Sequence, residues 1–320
     1  MTDNPLLIIG FVLVAWWTTT GLVFALNRAP RASFMWSFAV ATSVMAMGFA
    51  GIGMASETTS GGALFASFIA SLAVWCWIEI GFYFGFVTGP RTKPCEPGCK
   101  GLRHFGHAIG VSLYHEIAIL TAGSIIAALT WGMPNQLALW VFVVLAVMHQ
   151  SARLNVFLGV RNVSAEWVPD HLPFLHSFLR KRPMNWFFPI SQVLSIGAFV
   201  ALIWCLVAAP FPALNRTFFW FLLALLGVGI FEHWLLILPL PRPATDLWRI
   251  WEAGPYAVSS PVKTPAQASA NTPAKTIPEP KIYQPPRELR PKSNLPSSLA
   301  VGSLEPAQSI MFSQLGRKHP

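Results

Sequence analysis

Residues 62–87 read GALFASFIASLAVWCWIEIGFYFGFV, an apolar run that contains one carboxylate, Glu79. Coiled into a helix, a run of this length crosses a hydrocarbon core about 30 Å thick. Its apolar residues are continuous and do not alternate with polar ones, so it does not resemble a strand of a membrane β-barrel. The stretch therefore predicts a membrane-spanning helix with an ionisable group inside it.

Similar apolar runs recur as far as residue 241, and the composition agrees with them. Hydrophobic residues make up 54% of the chain and charged residues 11%, against about a quarter charged in soluble domains. The mean hydropathy is +0.52. We predict an all-α integral membrane protein in which residues 1–241 form a bundle of seven transmembrane helices. The predicted spans are Pro5–Leu26, Phe34–Met54, Gly62–Val87, Ala108–Trp131, Asn135–Leu158, Pro189–Ala209 and Thr217–Leu238.

The distribution of Lys and Arg predicts the orientation of the bundle. These residues are concentrated after the odd-numbered spans, whereas the N-terminus and the loops after spans two and four contain none. The positive-inside rule then places the N-terminus outside and the C-terminus in the cytoplasm. All four cysteines fall in spans or in a loop on the cytoplasmic side, so we predict no disulfide framework.

Two kinds of segment lie outside the spans. Two segments combine an apolar face with basic residues, as do helices that lie in the lipid headgroup plane. They are Asp170–Lys181 and residues 242–257, where the pattern is in Thr245–Ala253. Residues 258–320 hold 11 of the 27 prolines and predict a disordered cytoplasmic tail. Much of the net charge of +9 comes from this tail and the cytoplasmic loops, so it does not indicate nucleic-acid binding.

Six ionisable side chains lie inside predicted spans at a similar predicted depth. An ionisable group at the bilayer centre costs roughly 2.5–3.5 kcal/mol on insertion scales, so such groups usually face the bundle interior and are functional. We therefore predict that these side chains converge in one polar layer. They are Glu79, His115, Glu116, His149, Glu232 and His233.

Helix geometry limits which of the six can share a pocket. Neighbouring residues point about 100° apart, so we expect one residue of each adjacent pair to face the pocket and the other to bind a neighbouring helix. Arg153 follows His149 by four residues and shares its helix face. It could pair with Glu79 or Glu116, or bind an anionic ligand.

Three interpretations of this layer remain open. All six residues are candidate ligands of a transition metal, since imidazole and carboxylate together suit zinc, iron or manganese. Alternatively, a histidine ligates a tetrapyrrole between aromatic walls, or the groups form ion pairs that fix helix register. The aromatic walls would come from Trp75, Trp77, Tyr83 and Tyr114. No nucleotide-binding or catalytic motif is present, so no catalytic residue is assigned.

The loop from Pro94 to His107, PCEPGCKGLRHFGH, contains Cys95, Cys99, His104 and His107. These side chains could in principle hold zinc, but C-x3-C-x4-H-x2-H is not a standard zinc spacing. Turn-forming proline and glycine residues explain the segment as an ordinary loop, and the sequence favours that interpretation.

Three stretches carry a resemblance to a known family: WCWIEIGFYFGFVTGPR at 75–91, LYHE at 113–116 and HQSARLNVFLGVRN at 149–162. Together they resemble the PuhE-type photosynthetic complex assembly proteins of purple phototrophic bacteria. The resemblance implies an integral membrane protein of the photosynthesis gene cluster, associated with assembly of the reaction centre and core antenna and with modulating bacteriochlorophyll production. It covers roughly residues 5–255, does not extend to the tail, and transfers no catalytic role.

The resemblance and the polar layer together give the functional hypothesis. We expect a multi-pass assembly factor in the bacterial cytoplasmic or intracytoplasmic membrane, with photosynthetic membrane proteins or pigment-synthesis enzymes and the lipid bilayer as partners. It would handle bacteriochlorophyll or a precursor, with His149 or His115 as axial ligand and Arg153 near a propionate. The residues leave open whether it is an enzyme, and the resemblance favours a non-enzymatic role. The alternatives are a membrane metalloenzyme and an ion or proton transporter.

Overall fold

The computed structural model describes residues 4–163, 168–208 and 213–239. The predicted headgroup segment 242–257 and the predicted tail 258–320 lie outside these ranges. Seven helices within them are long and apolar enough to cross a membrane, which confirms the all-α seven-helix architecture. They are α1 (Pro5–Asn27), α2 (Phe34–Ser56), α3 (Gly61–Tyr83), α4 (Gly101–Thr130), α5 (Leu137–Leu158), α6 (Phe187–Ala208) and α7 (Ala213–Leu235).

Polar side chains set where several helices begin. Asn4 accepts a hydrogen bond from the Leu6 N–H at the start of α1, and Ser60 accepts one from the Ala63 N–H at the start of α3. Asn135 is buried between helices, where its side-chain nitrogen donates to the Ala55 carbonyl at 2.8 Å and to Ser67 Oγ at 2.9 Å. These caps satisfy helix-end groups that lipid cannot satisfy.

Among the helix boundaries that differ from the sequence prediction, two bear on the site. α3 ends at Tyr83 rather than Val87, because Gly85 adopts a φ of +83° two residues beyond the helix, the usual glycine stop. α4 begins at Gly101 rather than Ala108 and is 30 residues long, about 45 Å. Since the hydrocarbon core is about 30 Å thick, the first turns of α4 extend beyond it.

α3 is the central helix of the bundle. It contacts α1, α2, α4, α5 and α7, and half of its most apolar stretch is buried. Two apolar clusters surround it. Phe68 packs with Ile8 and Phe221 between α1 and α7, while Ile78 packs with Ile126 and others between α2, α4 and α5. Glu79 is therefore carried by the helix with the most neighbours.

Residues 87–91, which we call the wedge segment, pack directly across the backbone of α4. The Thr88 carbonyl accepts hydrogen bonds from the N–H groups of Tyr114 (2.9 Å) and His115 (3.1 Å), and the Arg91 N–H donates to the Gly110 carbonyl at 3.1 Å. Gly89 lies so close to α4 that a Cβ there would be 2.3 Å from the Gly110 carbonyl oxygen. The wedge segment thus fixes α4 at the turn that carries His115.

The prediction of an amphipathic headgroup helix over Asp170–Lys181 was wrong. The segment contains a short 3₁₀ helix, Pro173–Phe178, and buries Leu172, Phe174 and Phe178 against Val111 of α4. Pro173 disfavours helical backbone at the residue before it, which prevents one continuous helix. Its apolar side chains pack onto the protein rather than onto lipid.

Candidate functional site

One stretch of α5 organises the polar layer. Between residues 149 and 153, four side chains of α5 each contact a polar side chain of another helix. The contacts join His149 to Glu79 of α3 and His115 of α4, Gln150 and Arg153 to Glu116 of α4, and Ser151 to His233 of α7.

Glu79, His115 and His149 form a cluster that we call the triad. His115 Nε2 lies 3.2 Å from His149 Nε2, and His149 Nδ1 lies 3.3 Å from Glu79 Oε1. One potential ligand atom from each residue lies within 4.8 Å of the other two. Three separate helices thus bring together three groups that the sequence predicted to meet.

The triad sits among aromatic side chains. The Phe82 ring centroid lies 4.8 Å from that of His115, and the Trp75 centroid lies 5.4 Å from that of His149. His115 is only 1% exposed. These rings pack against both imidazoles, and His149 and Glu79 remain partly exposed, with 23% and 14% of their side-chain surface accessible.

Two atoms of the triad lack ordinary hydrogen bonds. His115 Nδ1 is buried near the Ile78 carbonyl but has no hydrogen-bond geometry to any residue in the described ranges. Glu79 Oε1 is likewise buried, and its 3.3 Å contact with His149 Nδ1 does not have hydrogen-bond geometry. Buried polar atoms without partners are uncommon in proteins, so each calls for an explanation.

Glu116 is not part of the triad and pairs with α5. It accepts hydrogen bonds from Arg153 and Gln150, and Arg153 also lies 5.7 Å from the centre of the Phe82 ring. This confirms that Arg153 pairs with one of its two predicted partners. The ion pair neutralises two charges that would each be costly inside the bundle.

The two predicted residues of α7 do not join the triad. His233 Nδ1 lies 2.8 Å from the Gly229 carbonyl, which can only accept, so Nδ1 donates and Nε2 accepts from Ser151 Oγ at 3.0 Å. His233 therefore links α7 to α5. Glu232 is half-buried and has no hydrogen-bond or ion-pair partner within the described part of the chain. Because it lies about 100° from His233, it points elsewhere.

Sequence reasoning missed Gln150, Ser151 and Phe82. The first two are polar residues within an apolar span, and their position between His149 and Arg153 in the run HQSAR was the available signal. Trp75 was correctly expected at the site. Trp77, expected beside it, instead donates to Thr42 Oγ1 of α2 at 2.9 Å.

The donor set suits a metal ion better than a macrocycle. In tetrahedral coordination with metal–nitrogen distances near 2.0–2.1 Å, two ligand nitrogens lie about 3.3 Å apart, close to the 3.2 Å between the two Nε2 atoms. A tetrapyrrole needs an open face on its axial imidazole, whereas here each Nε2 blocks the other. A direct His–His hydrogen bond is the alternative explanation of this distance.

The fold and this site define a class, a seven-helix membrane protein with a His/Glu cluster inside its bundle. The chain belongs to the family DUF3623, described as proteins of unknown function, whose model matches residues 1–257. It is also similar to an uncharacterised 30.4 kDa protein in the puhA 5′ region of Rhodobacter capsulatus, with 30% identity over 271 residues that cover 83% of this chain and 96% of the relative. These matches confirm the resemblance to PuhE-type proteins. No solved structure matches the chain.

Proposed function

We propose that this protein is a multi-pass assembly factor for photosynthetic reaction centre and light-harvesting complexes. It acts in the bacterial cytoplasmic or intracytoplasmic membrane, with its C-terminus in the cytoplasm. The observation that carries the proposal is the relative in the puhA 5′ region, which is matched over nearly its whole length. Seven helices able to cross a membrane support a role within the membrane.

Within this role, the triad binds a transition-metal ion through His115 and His149. The distance between the two Nε2 atoms supports this, and so does Glu79, which lies beside the other nitrogen of His149. A carboxylate that accepts a hydrogen bond from that nitrogen orients a metal-ligating histidine and raises its basicity, and Glu79 is close enough to form such a bond after a small shift. Modulation of bacteriochlorophyll production would follow from this occupancy, through contact with pigment-synthesis enzymes rather than through direct axial ligation.

A membrane metalloenzyme is the second candidate function. The same three groups favour it, because catalytic metal sites use three protein ligands and keep one position open. The two functions differ in what depends on the metal. An enzyme converts a substrate in isolated membranes, whereas an assembly factor is needed only while new complexes form.

The experiment is complementation in Rhodobacter capsulatus from which the gene of the 30% identical relative has been deleted. We expect the deletion to lower reaction-centre and core-antenna absorbance several-fold after a shift to phototrophic conditions, and this chain to restore it. The His149→Gln variant should fail, while Glu232→Gln, which alters an ionisable residue without a described partner, should restore assembly. Immunoblots confirm equal amounts of both variants.

Normal assembly kinetics and normal pigment content in the deletion strain would contradict the assembly role. Restoration by His149→Gln would leave the assembly role standing but would exclude the triad from it. Membranes isolated from the deletion strain could instead fail to convert one pigment intermediate while the strain still assembles its complexes normally. That result would favour the metalloenzyme.

A further inference from the structure

A second cluster of metal-ligand side chains lies between α3 and the first turns of α4. His107 Nδ1 is 3.2 Å from Cys95 Sγ and 3.5 Å from Cys99 Sγ, and the three atoms lie within 4.8 Å of one another. His107 precedes His115 by eight residues, about 12 Å along α4. The cluster is therefore separate from the triad.

The local fold brings the two cysteines to the same histidine. The Cys99 N–H donates to the Glu96 carbonyl at 3.1 Å, which closes the turn between the cysteines. The Cys95 N–H donates to Ser177 Oγ at 2.9 Å, and Ser177 in turn donates to the Phe174 carbonyl. The loop is thus held against the 3₁₀ helix Pro173–Phe178, with both thiols turned toward α4.

The distances agree with a zinc site. With Zn–S near 2.3 Å and Zn–N near 2.0–2.1 Å, tetrahedral geometry puts sulfur and nitrogen about 3.6 Å apart. The two observed sulfur–nitrogen distances, 3.2 and 3.5 Å, are close to this value. A single ring nitrogen has either one hydrogen or one lone pair, so it cannot make two good hydrogen bonds to two sulfurs. One metal ion bound by all three atoms accounts for their convergence.

His104 supports Cys95 from the buried side. Its ring is stacked between Phe157 and Phe178 and is 4% exposed, and its Nδ1 lies 3.2 Å from Cys95 Sγ. If Cys95 ligates a metal ion as a thiolate, its sulfur accepts hydrogen bonds, and His104 Nδ1 would then carry the hydrogen and donate it. Donors of this kind to a ligating sulfur hold the ligand in place and stabilise its charged form.

We propose that Cys95, Cys99 and His107 bind a zinc ion with an open fourth position, and that His104 is a positioning residue for Cys95. Thiolate ligands select zinc over the hard cations of the cell. The ion would tie the α3–α4 loop to α4 and, through Ser177, to the 3₁₀ helix. The open position accepts water or a donor side chain from a partner protein. This inference does not depend on the triad or on the proposed function.

The test uses the full-length protein in detergent, loaded with cobalt(II) as a spectroscopic substitute for zinc. We expect thiolate-to-cobalt charge-transfer bands in the near ultraviolet and the visible bands of tetrahedral cobalt. Cys95→Ser and Cys99→Ser should lose the charge-transfer bands, and His107→Ala should change the visible bands. Each of the three should bind about one metal ion fewer per chain than the wild type.

Controls separate this cluster from the triad and from the remaining thiols. Cys76→Ser and Cys205→Ser remove the two cysteines of the spans and should leave the bands unchanged. His149→Gln alters the triad, which has no sulfur, and should also leave the charge-transfer bands unchanged. In wild-type protein, which avoids any folding defect, a thiol-specific mercurial should release about one zinc ion per chain.

Wild-type protein without charge-transfer bands and without mercurial-released zinc would overturn the proposal, as would bands that survive in both cysteine variants. For His104, the substitution His104→Phe keeps a ring between the two phenylalanines and removes the donor. We expect it to retain the tetrahedral spectrum while weakening zinc binding about 10–100-fold in chelator competition. Complete loss of tetrahedral cobalt would show that His104 is itself a ligand and contradict its positioning role.

Discussion

At the scale of single residues, the hydrogen-bond and ion-pair partners of the six predicted ionisable residues explain which of them form the triad. His115 and Glu116 are adjacent, and each satisfies a different part of α5: the imidazole faces His149, and the carboxylate binds Arg153 and Gln150. His233 is fully occupied by Ser151 and Gly229. Glu79 Oε1 and His115 Nδ1 have no hydrogen-bond partner within the described residues, and the two triad Nε2 atoms lie 3.2 Å apart, a separation that suits two ligands of one metal ion.

The metal content of triad variants checks this at residue level. In a Cys95→Ser/Cys99→Ser background, which removes the loop cluster, we expect about one transition-metal ion per chain. His149→Gln should abolish binding because it removes a ligand. Glu79→Gln keeps the shape of the side chain but loses the charge beside His149 Nδ1, and should weaken binding about 10–100-fold.

The matched control is Glu232→Gln, which changes a carboxylate in the same bundle and should bind metal as the background does. Elemental analysis and chelator competition measure both quantities. Equal metal content in the background, His149→Gln and Glu232→Gln proteins would refute the triad as a metal site. Tetrapyrrole absorbance that is lost only in His149→Gln would instead assign the histidine to a pigment.

At the scale of elements, the wedge segment connects the α3–α4 loop to the site. Its carbonyl at Thr88 accepts from the N–H groups of Tyr114 and His115, so the backbone of the ligand residue itself is held by the loop. Non-helical backbone at this position is possible only because α4 satisfies its polar groups. The position of His115 therefore depends on how closely the wedge segment approaches α4.

Substitution of Gly89 by Ala tests this dependence. The added Cβ would lie 2.3 Å from the Gly110 carbonyl oxygen and 2.7 Å from the Val111 carbonyl carbon, and backbone atoms cannot move aside cheaply. We expect a loss of about 3 kcal/mol or more, in the range of severe overpacking. Thermal unfolding in detergent should show a clearly lower midpoint, together with weaker metal binding at the triad.

Gly106→Ala is the control for this prediction, because its Cβ would have no heavy atom within 4 Å and the residue lies within α4. Alanine is favoured over glycine inside a helix by up to about 1 kcal/mol, so this variant should be as stable as the wild type or slightly more stable. Equal unfolding midpoints and equal metal binding in the two alanine variants would show that close packing of the wedge segment does not position His115.

Some secondary-structure elements could be predicted from the sequence and others could not. The spans were predictable because a bilayer demands long apolar helices, and the roles of His115 and Glu116 follow from helix geometry. The 3₁₀ helix Pro173–Phe178 and the wedge segment were not, since both depend on contacts between residues far apart in the chain. The cysteine–histidine cluster was set aside on its spacing, and only the fold shows that its atoms converge.

At the scale of the whole molecule, several polar side chains are buried and many large apolar side chains are exposed, the reverse of the distribution in a soluble protein. His115 and His233 are buried, whereas large apolar side chains such as Trp204, 72% exposed, lie on the outside. α6 is buried over only 17% of its most apolar stretch and α2 over 22%. This distribution is expected when lipid rather than water surrounds the helices.

Reporter fusions test the predicted orientation of this bundle. Alkaline phosphatase, which is active only outside the cytoplasm, should be active when fused after Thr58 or Met133. It should be inactive when fused after Pro97, in the loop rich in Lys and Arg. A cytoplasmic fluorescent reporter should give the opposite pattern. Phosphatase activity after Pro97 would invert the topology and place the cysteine loop in an oxidising compartment.

α4 carries His107 near one end and His115 two turns further on, and a helix is stiff over so short a distance. A ligand at His107 and a ligand at His115 would therefore be held by one stiff element. If occupancy of one site changed the position of α4, the affinity of the other site would change, and by linkage the effect would be reciprocal. The length of the fourth helix thus gives two separate sites a common support.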